Sequence, residues 1–137
     1  MFHSCKLLPM ALLLICSNLP EPVTAQTACG FAVTATADVA NKIAIGHAWT
    51  EHKTEFVPGA IFGGLAMPAS PKVSTTAEFK AHVLTAMGSS VNKTLGGGRK
   101  AWWFAATGTF VVFNPADSDC GTAFRPGLGK SYYDNQT

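Results

Sequence analysis

The chain has 137 residues, of which 47% are apolar, and a formal charge of +2. That length suits a leader and one small domain. The charge is too small to mark a nucleic-acid binder by itself, and an apolar run of about ten residues near the start is half of what a membrane-spanning helix needs.

Taken in order, residues 1–25 read as a secretory signal peptide: Lys6 supplies the positive charge, an apolar stretch follows, and Val23-Thr24-Ala25 offers the small residues a signal peptidase reads. Residues 26–137 then form a single exported domain, secreted or periplasmic. Cys5 and Cys16 leave with the leader, so Cys29 and Cys120 remain. An even pair in an oxidising compartment predicts one disulfide.

Residues 27–36 are apolar and β-branched, suited to a short strand or an extended arm. Asp38 can cap a helix. Ile45, Trp49, His52 and Phe56 follow at offsets of 0, 4, 7 and 11, one helical stripe, with Gly46 as a point of weakness that splits the segment or breaks it. Pro58-Gly59 ends it. Residues 61–71 read as a loop. Ser74 and Thr75 followed by Glu78 form a capping box, and Phe79, Val83, Leu84 and Met87 give the apolar face of a helix over 76–87 that Gly88 stops. His82 falls on its polar side and reads as a surface residue. Residues 89–98 read as a flexible connector.

Four strands are expected after that, at 100–106, 109–114, 122–125 and 130–133. Thr107-Gly108 makes the first hairpin, and Pro115 stops the second strand because it cannot donate to a ladder. The fold class is therefore α+β, with N-terminal helices packed on a C-terminal four-stranded antiparallel β-meander. The helices cover one face of the sheet.

Chemistry centres on His47 and His52. They are five residues apart, hence about 140° apart around a continuous helix. No HExxH and no run of carboxylates at ligand spacing accompanies them, so no metal and no cofactor is expected. Phosphodiester cleavage without metal suits the composition better. An imidazole takes the proton of a ribose 2′-hydroxyl, another group protonates the leaving oxygen, and cations at strand ends, Arg99 and Lys100, stabilise the charged phosphorane. His52 reads equally well as a core histidine, since it lies on the apolar stripe. Two other readings stand beside this one. One is a non-catalytic binding module using an aromatic sheet face built from Trp102, Trp103, Phe104, Tyr132 and Tyr133. The other is a zinc hydrolase using His47, His52 and His82. Asn92 and Asn135 head N-glycosylation sequons.

The succession GHAWTEHKTEF, a helix, GGRKAWW, TGTFVVFNP, DCGTAFRP and GKSYYD resembles the C-terminal toxin domains of bacterial polymorphic and contact-dependent inhibition toxins, within the barnase–EndoU–colicin–RelE superfamily. The resemblance spans residues 46–134, and GTAFRP is its most specific part. It implies a toxin-like endoribonuclease that cleaves RNA, tRNA among its substrates, by metal-independent acid–base transesterification. By position it makes His47 or His52 the general base or acid. Arg99 would contact the scissile phosphate and Thr122 would hydrogen-bond it, while Arg125 would bind the RNA backbone with Lys53 and Lys100 in support. It implies an RNA substrate, a cognate immunity protein as partner, no membrane association and a monomer.

Overall fold

A computed structural model describes residues 27–137, so the expected signal peptide lies outside the described residues. The N-terminal arm forms turns rather than a strand and leads into helix α1, Thr36–Ile45. Gly46 breaks the helical stripe, and helix α2, His47–His52, starts at once, followed by a 3-10 turn over Lys53–Phe56. The break has a packing reason. A Cβ on Gly46 would come within 2.5 Å of Asp119 Cγ, so a residue with no side chain is needed where that carboxylate approaches. Asp38 lies in the first turn of α1, and Ala35 occupies the cap position with no side-chain hydrogen bond.

Residues 61–71, expected as a loop, contain a small hairpin, β1 (Ile61–Phe62) paired with β2 (Leu65–Ala66). Its tip leans on the turn near the C-terminus: a Cβ on Gly63 would lie 2.6 Å from Gly129 Cα. Helix α3, Thr76–Ala86, is capped as its sequence predicts. Thr75 Oγ1 accepts from Glu78 N at 3.1 Å, and Glu78 reaches back to Ser74 N at 3.3 Å.

The four-stranded sheet is antiparallel in the order β3 (Asn92–Thr94), β4 (Lys100–Phe104), β5 (Thr109–Phe113), β6 (Gly121–Phe124). The fold class is α+β, with the helices α1 to α3 preceding this sheet. Two details differ from the sequence reading. The fourth strand comes from the presumed connector, where Asn92 pairs with Trp102 and Thr94 with Lys100. Residues 130–133, expected as a strand, belong to a short helix, α4, Lys130–Asp134. The segment KSYYD carries two adjacent tyrosines, so its pattern does not distinguish strand from helix over so short a run. Docking on the sheet decides it, with Tyr133 buried against Leu95, Ala101, Trp103 and Phe110.

Alternation along the strands produces two apolar clusters. On the near face Trp102, Val111, Phe113 and Ala123 pack with Val39, Ile43, Phe56, Phe79 and Val83 from the helices. On the far face Ala101, Trp103 and Phe110 pack under Tyr132 and Tyr133 of α4, joined by Val112 and Phe124. The Cys29–Cys120 disulfide forms, joining residues 91 apart in sequence, and pins the N-terminal arm to the loop before β6.

Candidate functional site

The two histidines of α2 carry different partners. Helix α2 lies against β6, and its C-terminal residue, His52, stacks on Phe124 with ring centroids 5.1 Å apart. His52 Nδ1 lies 2.7 Å from Glu55 Oε1, so the ring N–H donates to that carboxylate and Nε2 is the nitrogen left for chemistry. Glu55 is itself held. Its other carboxylate oxygen accepts from Arg125 N at 2.7 Å, and its main-chain carbonyl accepts from Arg125 Nη1 at 2.7 Å.

Arg125 is the anchor of this arrangement. It is only 1% exposed. Its guanidinium donates to four main-chain carbonyls: Thr107 through Nε, Glu55 and Ala60 through Nη1, and Leu65 through Nη2. These bonds tie the β1–β2 hairpin and the end of the 3-10 turn to the β4–β5 connection. The side chain expected to bind an RNA backbone is thus spent on protein carbonyls, and it acts by holding Glu55. GTAFRP reads the same way for either role, because the sequence does not show which groups surround its arginine.

Thr122 stands two residues before Phe124 on β6, opposite Val112, so it shares the far face with the ring that His52 stacks on. Its hydroxyl is buried without a hydrogen-bond partner. A buried orphan of this kind costs about 1–3 kcal/mol, and among the described residues Thr122 shares that state with His82 Nδ1.

His47 is turned elsewhere. Its Nδ1 lies 2.5 Å from Asp119 Oδ2, and the same oxygen accepts from His47 N at 3.0 Å. The hydrogen bond to Asp119 raises the imidazole's pKa above 6.5, although burial opposes it. Asp119 is lowered in turn, first by the His47 main-chain N–H and then by the imidazole. Asp119 N donates to Asp117 Oδ1 at 2.8 Å, which brings a second carboxylate beside the pair. The roughly 140° between His47 and His52 on one short helix keeps them from serving one phosphate together.

The remaining sequence candidates are dispersed. Arg99 donates through Nε to Gly96 O and through Nη2 to a main-chain oxygen of Thr137. It precedes β4, two strands across from β6, which places it roughly 15 Å from the Phe124 backbone by strand spacing. Lys100 turns to the near face, its ammonium 5.2 Å from the Trp102 ring centroid. Lys53 is exposed and lines a groove of about 380 Å³ with Trp49, Thr54 and Val57. His82, expected at the surface, is buried at 3% exposure between the Phe56 and Phe104 rings. Its Nε2 meets Thr109 Oγ1 at 3.0 Å and Thr107 Oγ1 at 3.2 Å. Burial first, then the Arg125 charge, lowers its pKa to about 4. A zinc site of His47, His52 and His82 is therefore not assembled. Trp102, Trp103 and Tyr133 are buried too, which removes most of the aromatic face proposed for binding.

The two carboxylates that partner His52 and His47 are not singled out by the sequence pattern. Glu55 follows His52 by three residues, a spacing that brings side chains together on one helical face. Asp119 is 72 residues from His47, and no local pattern links them. No family model, curated protein or solved structure matches the chain.

Proposed function

We propose that the protein is a secreted or periplasmic endoribonuclease of toxin type, cleaving RNA by metal-independent transesterification at His52. The observation that carries this reading is the His52 imidazole, fixed through Nδ1 on Glu55 and stacked on Phe124, a ring that shares its strand and sheet face with Thr122. In the neutral ring Nε2 is a base. It takes the proton of a ribose 2′-hydroxyl, the 2′-oxygen attacks phosphorus, and the 5′-oxygen leaves with a proton from solvent, giving a 2′,3′-cyclic phosphate. By the resemblance Thr122 would donate to a phosphate oxygen, for which its buried hydroxyl has to turn outward, and Phe124 supports the imidazole. Lys53, three residues before the end of the same 3-10 turn, attracts the RNA backbone. The disulfide is compatible with export, and among the described residues no helix is long and apolar enough to cross a membrane. A toxin of this kind is accompanied by an immunity protein, which is the partner to look for.

The test is incubation of the oxidised protein with total RNA and with tRNA in excess EDTA. Cleavage products ending in cyclic phosphate are expected. His52→Ala should lower the rate by about 10²-fold or more, Thr122→Val by about tenfold, and His47→Ala by less than about threefold. Absence of cleavage, or cleavage indifferent to His52→Ala, refutes the reading.

A further inference from the structure

The His47 pair has a third member and a different chemistry from the His52 pair. Ligand-capable atoms of His47, Asp117 and Asp119 all lie within 4.8 Å of one another, and each side chain is partly exposed. They come from two segments about 70 residues apart, the start of α2 and the loop before β6, and each segment is held. Asp119 is followed by Cys120, whose disulfide to Cys29 anchors the loop. Gly46 provides the space in which the Asp119 carboxylate sits. Asp117 uses Oδ1 on Asp119 N, so its second oxygen is free to face a ligand.

We propose that His47, Asp117 and Asp119 form a zinc-binding site, separate from His52. The donor set selects the metal. One imidazole nitrogen with two carboxylates suits zinc, whereas calcium takes six to eight oxygens, more than two carboxylates supply. Ligand atoms around tetrahedral zinc stand about 3.4 Å apart, so the His47 Nδ1–Asp119 Oδ2 pair has to open from 2.5 Å and the Asp117 carboxylate has to turn inward for all three to reach one ion. The bound ion replaces the proton shared by His47 Nδ1 and Asp119, and that proton passes to solvent. Water fills the fourth position. The ion cross-links α2 to the loop preceding Thr122 and so adds to the restraint that the disulfide imposes. The no-metal expectation followed from spacing along the chain, and spacing does not report a triad assembled across 70 residues.

The experiment is calorimetric titration of the oxidised, EDTA-stripped full chain with zinc chloride and, in parallel, with calcium chloride. One zinc per chain is expected, with calcium at least tenfold weaker. Asp117→Asn and His47→Gln should each weaken zinc at least tenfold, and His52→Gln should leave it unchanged. Because a variant can lose the fold, the unaltered protein is also followed by NMR: zinc should shift the His47 imidazole and Asp119 amide signals while those of His52 and His82 stay in place. No stoichiometric zinc, equal calcium affinity, binding undiminished in folded His47→Gln, or shifts confined to His52 overturns the site. None of these outcomes touches RNA cleavage, which is measured in EDTA.

Discussion

Glu55 Oε1 lies 2.7 Å from His52 Nδ1 while Glu55 Oε2 accepts from the main-chain N–H of Arg125, so one carboxylate couples a mostly buried imidazole to a buried strand end. Arg125 fixes Glu55 through both its carboxylate and its carbonyl, and Glu55 fixes the ring.

Glu55→Gln therefore tests positioning. The amide keeps the shape but presents a donor and a neutral acceptor where the ring N–H and the Arg125 N–H both seek a carboxylate oxygen. RNA cleavage should fall about tenfold or more, with circular dichroism unchanged. A rate equal to that of the unaltered protein would show that Glu55 does not orient His52.

Arg125→Ala should destabilise the domain by about 4 kcal/mol, because four carbonyls lose a charged donor inside the protein. Urea unfolding measures it. Arg125→Lys should recover little of the loss, since an ammonium presents three donors from a single nitrogen and no planar fork. A folded, stable Arg125→Ala with weakened RNA affinity would restore the RNA-binding role inferred from GTAFRP.

His82 makes stability depend on pH. In the unfolded chain the imidazole protonates near 6.5, whereas the buried ring does so only near 4. Between those values the unfolded chain binds more protons, so stability falls as pH drops, by about 3 kcal/mol over the window. His47 is raised rather than lowered, so its contribution is complete below pH 6.5 and is lost only as pH rises above it. Unfolding free energies at pH 7, 5.5 and 4 should show the slope, and His82→Gln should flatten it.

Removing the cross-link, by Cys29→Ser with Cys120→Ser, should cost about 4–5 kcal/mol on the chain-entropy model for a loop of 91 residues. For a domain of this size that is a large part of the total. Thermal unfolding in the presence and absence of reductant checks it, and a loss below about 1 kcal/mol would mean that packing alone holds the arm.

What the amino-acid pattern determined was local. The capping box of Thr75 and Glu78, the break at Gly46, the strands flanking Thr107-Gly108 and the Cys29–Cys120 pairing all follow from neighbouring residues or from simple counting. The α+β class follows from those elements in order. Tertiary structure decided the rest. Asn92–Thr94 carries little strand pattern of its own and becomes an edge strand because β4 offers it a ladder. Lys130–Asp134 becomes a helix because its tyrosines dock on the far face. Arg125 is buried where four carbonyls converge on it, and His82 where Thr107 and Thr109 meet its Nε2 while its Nδ1 stays unpartnered. For the same reason the candidate site was half legible. His52 stands out by type and Thr122 only through the resemblance that GTAFRP carries, but which histidine meets Glu55 and which meets Asp119 depends on contacts across 3 residues in one case and 72 in the other. Spacing along a helix reports the first kind of contact. Only the folded chain brings about the second.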